Sequence, residues 1–393
     1  MSWRRLIAGN MAGNNGVSAS ILPCKLRKKL KKKLESPRVK PIQPDASRRN
    51  PHLDAIVARE AQLRFLSRTK SFLSRIPSHS IPLSLAGKLH RELGFPRGRK
   101  PSRLALHHPF LLHLSQDPDS HHPSLGFTPL MESLLLEERS IMLALEFRRI
   151  LVVRKLLMMT RHRRIPLAKL HHCRAVFGLP DDFRDRVLHY PDLFRIRVNP
   201  IDNLHELELV EWDPALAVSA LERQFIEDEE RVRKLFKFPI PRRKCLNLDP
   251  DDEKQMDFVT TFPLVSPYSE GWKHDLWTVE AEKYRVGIVH EFLSLTLEKR
   301  AMIHHLVEFK EEFSLTKHTY QMLTKQPRAF YLAGTEMNWA VFLKDAYRED
   351  GTLIEKDAQV VFEEKLRRYA DMTEKDFSGS VVDGGVEGSM HAK

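Results

Sequence analysis

The chain carries the same short unit twice, and this repeat constrains its fold more than any local propensity does. Ile81-Pro-Leu-Ser-Leu-Ala-Gly-Lys-Leu-His-Arg-Glu-Leu-Gly-Phe-Pro96 is matched by Ile165-Pro-Leu-Ala-Lys-Leu-His-His-Cys-Arg-Ala-Val-Phe-Gly-Leu-Pro180. Both open Ile-Pro-Leu and both close Gly-x-Pro at the same spacing. Such self-similarity marks one supersecondary piece laid down more than once. Pro at the first helical position presets φ, and Gly followed by Pro stops the helix. The next stretch also matches, Arg103-Leu-Ala-Leu-His-His-Pro109 against Arg186-Val-Leu-His-Tyr-Pro191. A third copy is expected at Tyr320-Gln-Met-Leu-Thr-Lys-Gln-Pro327-Arg-Ala-Phe330, without the Gly-x-Pro stop.

Each copy then reads as a hairpin. Phe194-Arg-Ile-Arg-Val198 is a strand, Asn199-Pro-Ile-Asp-Asn203 is a loop of turn residues, and Leu204 to Glu211 alternates as a returning strand. Ala329-Phe-Tyr-Leu332, the loop Gly334-Thr-Glu-Met-Asn338 and Trp339-Ala-Val-Phe-Leu343 repeat the plan. In the first copy Phe110–Leu114 and a segment from Phe127 onward are the weaker counterparts. Leading helices are expected at Ile150–Met159 and at Leu297–Lys310. Asp213 with Pro214 at N1 predicts a further helix start. Residues 231–270, with many Pro and mixed charge, read as a long linker or irregular loop. The expected fold class is α+β and mainly helical: tandem helix-helix-hairpin, winged-helix-like repeats with flexible termini.

Charge is polarised along the chain. Residues 1–50 carry +11, residues 51–205 carry +11 and residues 206–393 carry −10. A basic front half attracts polyanions by neutralising phosphates and releasing counterions. The bland alternative is that Lys and Arg only solvate helix faces. No apolar run approaches the roughly 20 residues of a bilayer span. The three cysteines, Cys24, Cys173 and Cys245, are too few and too scattered for a disulfide scaffold. Before Glu35 there are nine Lys/Arg and no acid, which fits an organellar transit segment. Trp3, Leu6 and Ile7 beside Arg4 and Arg5, with little Ser, lean mitochondrial over chloroplast.

Catalytic patterns are missing from the sequence. It has no phosphate-cradling Gly loop, no Gly-x-Ser-x-Gly elbow and no His-Glu-x-x-His or Cys-x-x-Cys. Its 19 His often come as adjacent pairs, such as His171-His172 and His304-His305. Adjacent residues point to different helix faces, so a pair does not chelate alone. No metal site, cofactor or small-molecule substrate is therefore expected, and no enzyme activity. The candidate nucleic-acid-binding residues are basic clusters at turns, helix starts and strand faces, where guanidinium groups meet phosphates. They are Arg97, Arg99, Lys100 and Arg103 in the first unit, and Arg154, Lys155, Arg161, Arg163, Arg164 and Lys169 at the start of the second. Arg195 and Arg197 alternate onto one face of its strand.

Val153-Arg-Lys-Leu-Leu-Met-Met-Thr-Arg-His-Arg-Arg-Ile-Pro-Leu167, then Phe177-Gly-Leu-Pro-Asp-Asp-Phe-Arg184 and His189-Tyr-Pro-Asp-Leu-Phe194, resemble the plant organelle RNA recognition (PORR) domain family. Glu211-Trp-Asp-Pro-Ala-Leu-Ala, Phe238-Pro-Ile-Pro and Arg328-Ala-Phe-Tyr-Leu fit the same family. The resemblance covers roughly residues 50–350. It implies a nuclear-encoded plant protein imported into mitochondria, or alternatively chloroplasts. It further implies binding of organellar intron RNA, typically group II, as a splicing factor without catalysis of its own, beside other splicing factors. The expected organisation is a transit peptide and basic linker over 1–50 and an RNA-binding region over 51–350. Its units lie at about 70–130, 150–211 and 297–345, followed by a C-terminal helix over 351–376 and a disordered tail over 377–393. The other readings are an organellar ribosome-associated or assembly protein, and an organellar DNA-binding transcription factor.

Overall fold

The computed structural model describes residues 49–372 apart from 96–97, 117–121, 237, 239–264, 276–277, 317–318 and 335–338. The expected leader up to residue 48 and the expected tail lie outside the described residues. Three units built on one plan follow one another. Each is a long helix, a three-residue strand, two short helices and a two-stranded hairpin. The short strand pairs with the returning strand of the hairpin, so every sheet has the order first, third, second. That is the winged-helix order, and helix outweighs strand throughout.

Unit one comprises α1 (Pro51–Leu73), β1 (Ser80–Pro82), α2 (Leu83–Lys88), α3 (Pro101–His107), β2 (Leu112–Gln116) and β3 (Pro123–Phe127). Asn50 starts α1 by accepting the N–H groups of His52 and Leu53, with Pro51 behind it in the first turn. A connecting helix, α4 (Pro129–Ala144), is capped by Thr128. Unit two has α5 (Glu146–Met158), β4 (Arg164–Pro166), α6 (Leu167–His172), α7 (Phe183–Arg186), β5 (Phe194–Val198) and β6 (His205–Leu209). Two linking helices follow, α8 (Ala220–Glu227) and α9 (Glu229–Leu235). Unit three has α10 (Val279–Leu295), β7 (Arg300–Met302), α11 (Ile303–Glu308), α12 (Thr319–Lys325), β8 (Phe330–Ala333) and β9 (Ala340–Leu343). The last described helix is α13 (Ala358–Asp371), shorter than the expected 351–376 and capped by Asp357.

Several local expectations change. Pro82 and Pro166 are not the first helical residues but the last residues of β1 and β4, with ψ of 137° and 128°. Their short strands are sheet edges, where a missing N–H costs no ladder bond. The helix expected over 297–310 is a strand followed by a helix. Lys299 takes a left-handed φ of 50°, and Arg300–Met302 pairs with Ala340–Phe342. Sheet pairing here overrides the helical spacing of Leu297, Ala301 and Leu306. Asp213 forms only a turn, and α8 starts at the capping box of Ser219 and Glu222. In unit one the returning strand ends at Phe127 instead of beginning there. Within the expected linker, Phe236, Phe238 and Tyr268 are buried core residues.

The backbone shows one bookend pair in all three units. His79, Arg163 and Lys299 are left-handed just before each short strand, with φ of 48°, 54° and 50°. Fifteen residues later come Gly94, Gly178 and Ser314, with φ of 74°, 68° and 52°. At each of these stops two N–H groups fold back on the preceding turn in the Schellman pattern. Examples are Leu179 to Arg174 at 2.9 Å and Leu315 to Lys310 at 2.8 Å.

One apolar core runs through units two and three, where Phe177, Phe292, Phe309 and Phe313 meet edge to face, tilted or, for Phe309 and Phe313, stacked at 5.3–6.4 Å. Burying each such ring stabilises by about 1.5–3 kcal/mol, so these two units cohere through it. A second core lies under unit one and recruits Phe362, Leu366 and Ala370 of α13. The start of α1 reaches the other way: Leu53 and Val57 cover the sheet of unit three against Tyr331 and Phe342.

Candidate nucleic-acid interface

The best-formed cationic surface belongs to unit two. Past the end of α5, Thr160 tightens the chain by donating to Leu157 O and accepting from Arg164 N at 3.0 Å. Arg163 then turns left-handed, and Arg161, His162 and Arg163 stand exposed. The Arg161 guanidinium lies over Trp272, 4.6 Å from the ring centroid, and Arg163 lies over Trp212 at 4.9 Å. A guanidinium over an indole is held in place while its outer N–H groups stay available to a phosphate.

The sheet adjoins this loop, with Leu209 N donating to Arg163 O at 2.9 Å. Register puts Arg164, Glu208 and Arg195 in one row across three strands, with Arg197 opposite Glu206 in the next. Glu208 binds both Arg164 at 2.9 Å and Arg197 at 2.5 Å. Arg195 is exposed and has no carboxylate partner among the described residues. Five guanidiniums therefore meet two carboxylates here, which leaves a positive face.

In unit one, Arg97 lies outside the described residues. Arg99, Lys100 and Arg103 are exposed at and within the start of α3, with no ion pair among the described residues. Of the other candidates, three are engaged inside the protein. Arg154 is buried between Asp213 and Glu211 at 3.4 and 3.5 Å. Lys155 is buried against Glu291 at 3.0 Å and the carbonyl of Val218 at 3.0 Å. Lys169 pairs with Glu312 at 2.6 Å. Glu291 also accepts from the Tyr268 hydroxyl and Ala220 N, each at 2.6 Å. Burial would raise its carboxyl, but Lys155 and these donors outweigh that and hold it below its ordinary value. Burial and Glu291 together push the Tyr268 hydroxyl up.

Residues 48–375 match the plant organelle RNA recognition domain. The chain belongs to that family. It is 33% identical over 332 residues to protein WHAT'S THIS FACTOR 1, chloroplastic, of Zea mays, covering 81% of this chain and 66% of that protein. The Arabidopsis thaliana homolog of that factor, also chloroplastic, is 33% identical over 344 residues, covering 84% of this chain and 64% of its own length. WHAT'S THIS FACTOR 9, mitochondrial, of Arabidopsis thaliana is 25% identical over 316 residues, covering 78% and 80%. The chain thus spans just under two thirds of the WHAT'S THIS FACTOR 1 proteins. No solved structure matches it.

This PORR-family chain shows further exposed cations that sequence reading missed. Lys88 and Arg91 border the first unit's turn, and Arg184 lies on α7. Their signal was available: Lys88 and Arg184 sit in the short helices between the leading helix and the hairpin, and Arg91 in the turn that joins two of them. Sequence reading also missed that the fold joins His172 and Cys173 to Glu308, with their ligand atoms all within 4.8 Å of one another. Burial, aided by Glu308, pushes the Cys173 thiol up. Among the described residues, no helix is long and apolar enough to cross a membrane.

Proposed function

We propose that this chain is an organellar RNA-binding protein that assists group II intron splicing by binding and stabilising the intron. It performs no catalysis of its own, and the RNA supplies the transesterification chemistry. The observation that carries this reading is the arginine face of unit two, where Arg161 and Arg163 lie over tryptophans and Arg195 has no carboxylate partner among the described residues. Arg99, Lys100 and Arg103 extend the footprint to unit one. Family membership supports RNA as the polyanion. Looped or single-stranded bases are the natural targets, since the deep groove of A-form RNA excludes side chains. The chloroplast is the favoured compartment, because the relatives at 33% identity are named chloroplastic and the mitochondrial one stands at 25%. That shifts the weight away from the mitochondrion suggested by the leader.

The test has two parts. Crosslinking and immunoprecipitation from isolated organelles is expected to enrich one or a few group II introns. Uniform recovery of ribosomal RNA would sink the splicing reading. In vitro, the variant R161E/R163E/R195E is expected to bind intron RNA more weakly. Its salt dependence should be flatter by about 2, at roughly 0.7 per lost single-strand phosphate contact. An unchanged slope would remove this face from the interface.

A further inference from the structure

The junction between units two and three gathers side chains that neither unit could assemble alone. His172 closes α6 and Cys173 follows it, while Glu308 closes α11 of unit three. His304 and His305 stand on the same helix, with ring centroids 6.4 and 6.2 Å from that of His172. Cys173 Sγ lies 3.6 Å from Glu308 Oε2, and that carboxylate also contacts His172 Nδ1. His305 Nδ1 is buried with no hydrogen-bond partner among the described residues. The thiol donates to Glu308, but nothing in the His172–Glu308 pair explains this orphaned nitrogen.

We propose that His172, Cys173 and Glu308, with His305 as fourth ligand, bind a borderline-soft divalent cation of the zinc type. Mixed nitrogen, sulfur and oxygen donors select such a metal over magnesium or calcium, which take oxygen alone. Tetrahedral zinc holds its donor atoms about 3.3–3.6 Å apart, and the sulfur–carboxylate spacing already meets that. His305 lies outside the trio whose donor atoms fall within 4.8 Å of one another, and its ring centroid, 6.2 Å from that of His172, must come in to about 5 Å for both imidazoles to share one zinc. His172 must likewise withdraw from Glu308 by a similar amount, and it is exposed enough to do so. Binding replaces the thiol proton, which leaves to solvent. His172 and Glu308 lie 136 residues apart. The cation would therefore staple unit two to unit three beside the Lys169–Glu312 pair, fixing the angle between them.

The experiment uses the full chain and cobalt(II) as the probe, with no RNA present. One equivalent of cobalt is expected to give a thiolate-to-cobalt charge-transfer absorption. That band should vanish in Cys173→Ser and persist when Cys24 and Cys245 are replaced by Ser. Outer-shell partners alone are worth 10–100-fold in metal affinity, so removing a ligand should weaken zinc binding by about 100-fold or more. His172→Asn supplies a variant whose folding is not at stake, because that ring is exposed. Zinc is expected to raise the Tm of the wild type and to leave that of His172→Asn unchanged. No charge-transfer band, a band that survives Cys173→Ser, or equal Tm shifts in wild type and His172→Asn would each overturn the proposal.

Discussion

Units two and three share a plan, a sheet order and a fifteen-residue bookend, yet their hairpins meet opposite surroundings. In unit three every residue of β8 and β9 is buried. Leu53 and Val57 press on that sheet, and the Tyr331 hydroxyl accepts from Asn50 N at 2.9 Å. In unit two the sheet carries arginines on its open face, and Ile201 at the hairpin tip is 92% exposed. The same fold element thus serves as a surface in one place and as scaffold in another. What covers the sheet decides which, and the fold plan alone does not.

The sharpest break between surface and scaffold is Lys155→Met. It strands the fully buried Glu291 without its cation, and a loss of about 3–5 kcal/mol is expected. Urea unfolding measures this, and RNA affinity of the folded protein should hold. The opposite result would return Lys155 to the interface. The same carboxylate sets a pH limit. Its folded pKa is depressed, so its contribution is full above its ordinary 4.5 and is lost as pH falls through the folded value. Glu291→Gln should flatten that acid limb in thermal melts.

Next comes a matched pair in the two hairpins. Phe342→Ala in unit three should cost about 3–5 kcal/mol. Ile201→Ala at the tip of unit two should cost less than about 0.5 kcal/mol. Comparable losses would erase the distinction. Smaller than the Phe342 effect are those at the helix stops. Gly178→Ala should cost about 2 kcal/mol or more: left-handed φ contributes, and the new Cβ would lie 2.8 Å from Arg149 Nε and 2.6 Å from Gln359 Oε1. Ser314→Gly should stabilise by about 1 kcal/mol, because Ser314 already pays for a left-handed φ. Chemical denaturation of both variants checks the pair.

Units one and two were legible because Ile-Pro-Leu and Gly-x-Pro mark both ends of the conserved-length turn. The start of unit three was not, since Ala301-Met-Ile and Ser314 fill the same backbone positions with ordinary residues. There the spacing survives in the dihedral angles and not in residue types. Charge gave the basic clusters, but pairing is a long-range property. Arg154 and Lys155 look like their neighbours in sequence, yet their carboxylates lie 57 to 136 residues away. Trp212 and Trp272 under the arginines, and Glu308 beside Cys173, were hidden for the same reason.

The crossed ends have a kinetic meaning. α13 completes the core of unit one, and α1 roofs the sheet of unit three. A chain emerging from a ribosome or a translocation pore delivers α1 long before its partner sheet and α13 long after its own. Neither end packs finally until its distant partner has arrived, so unit one and the sheet of unit three are completed late, whereas the shared core of units two and three needs neither end.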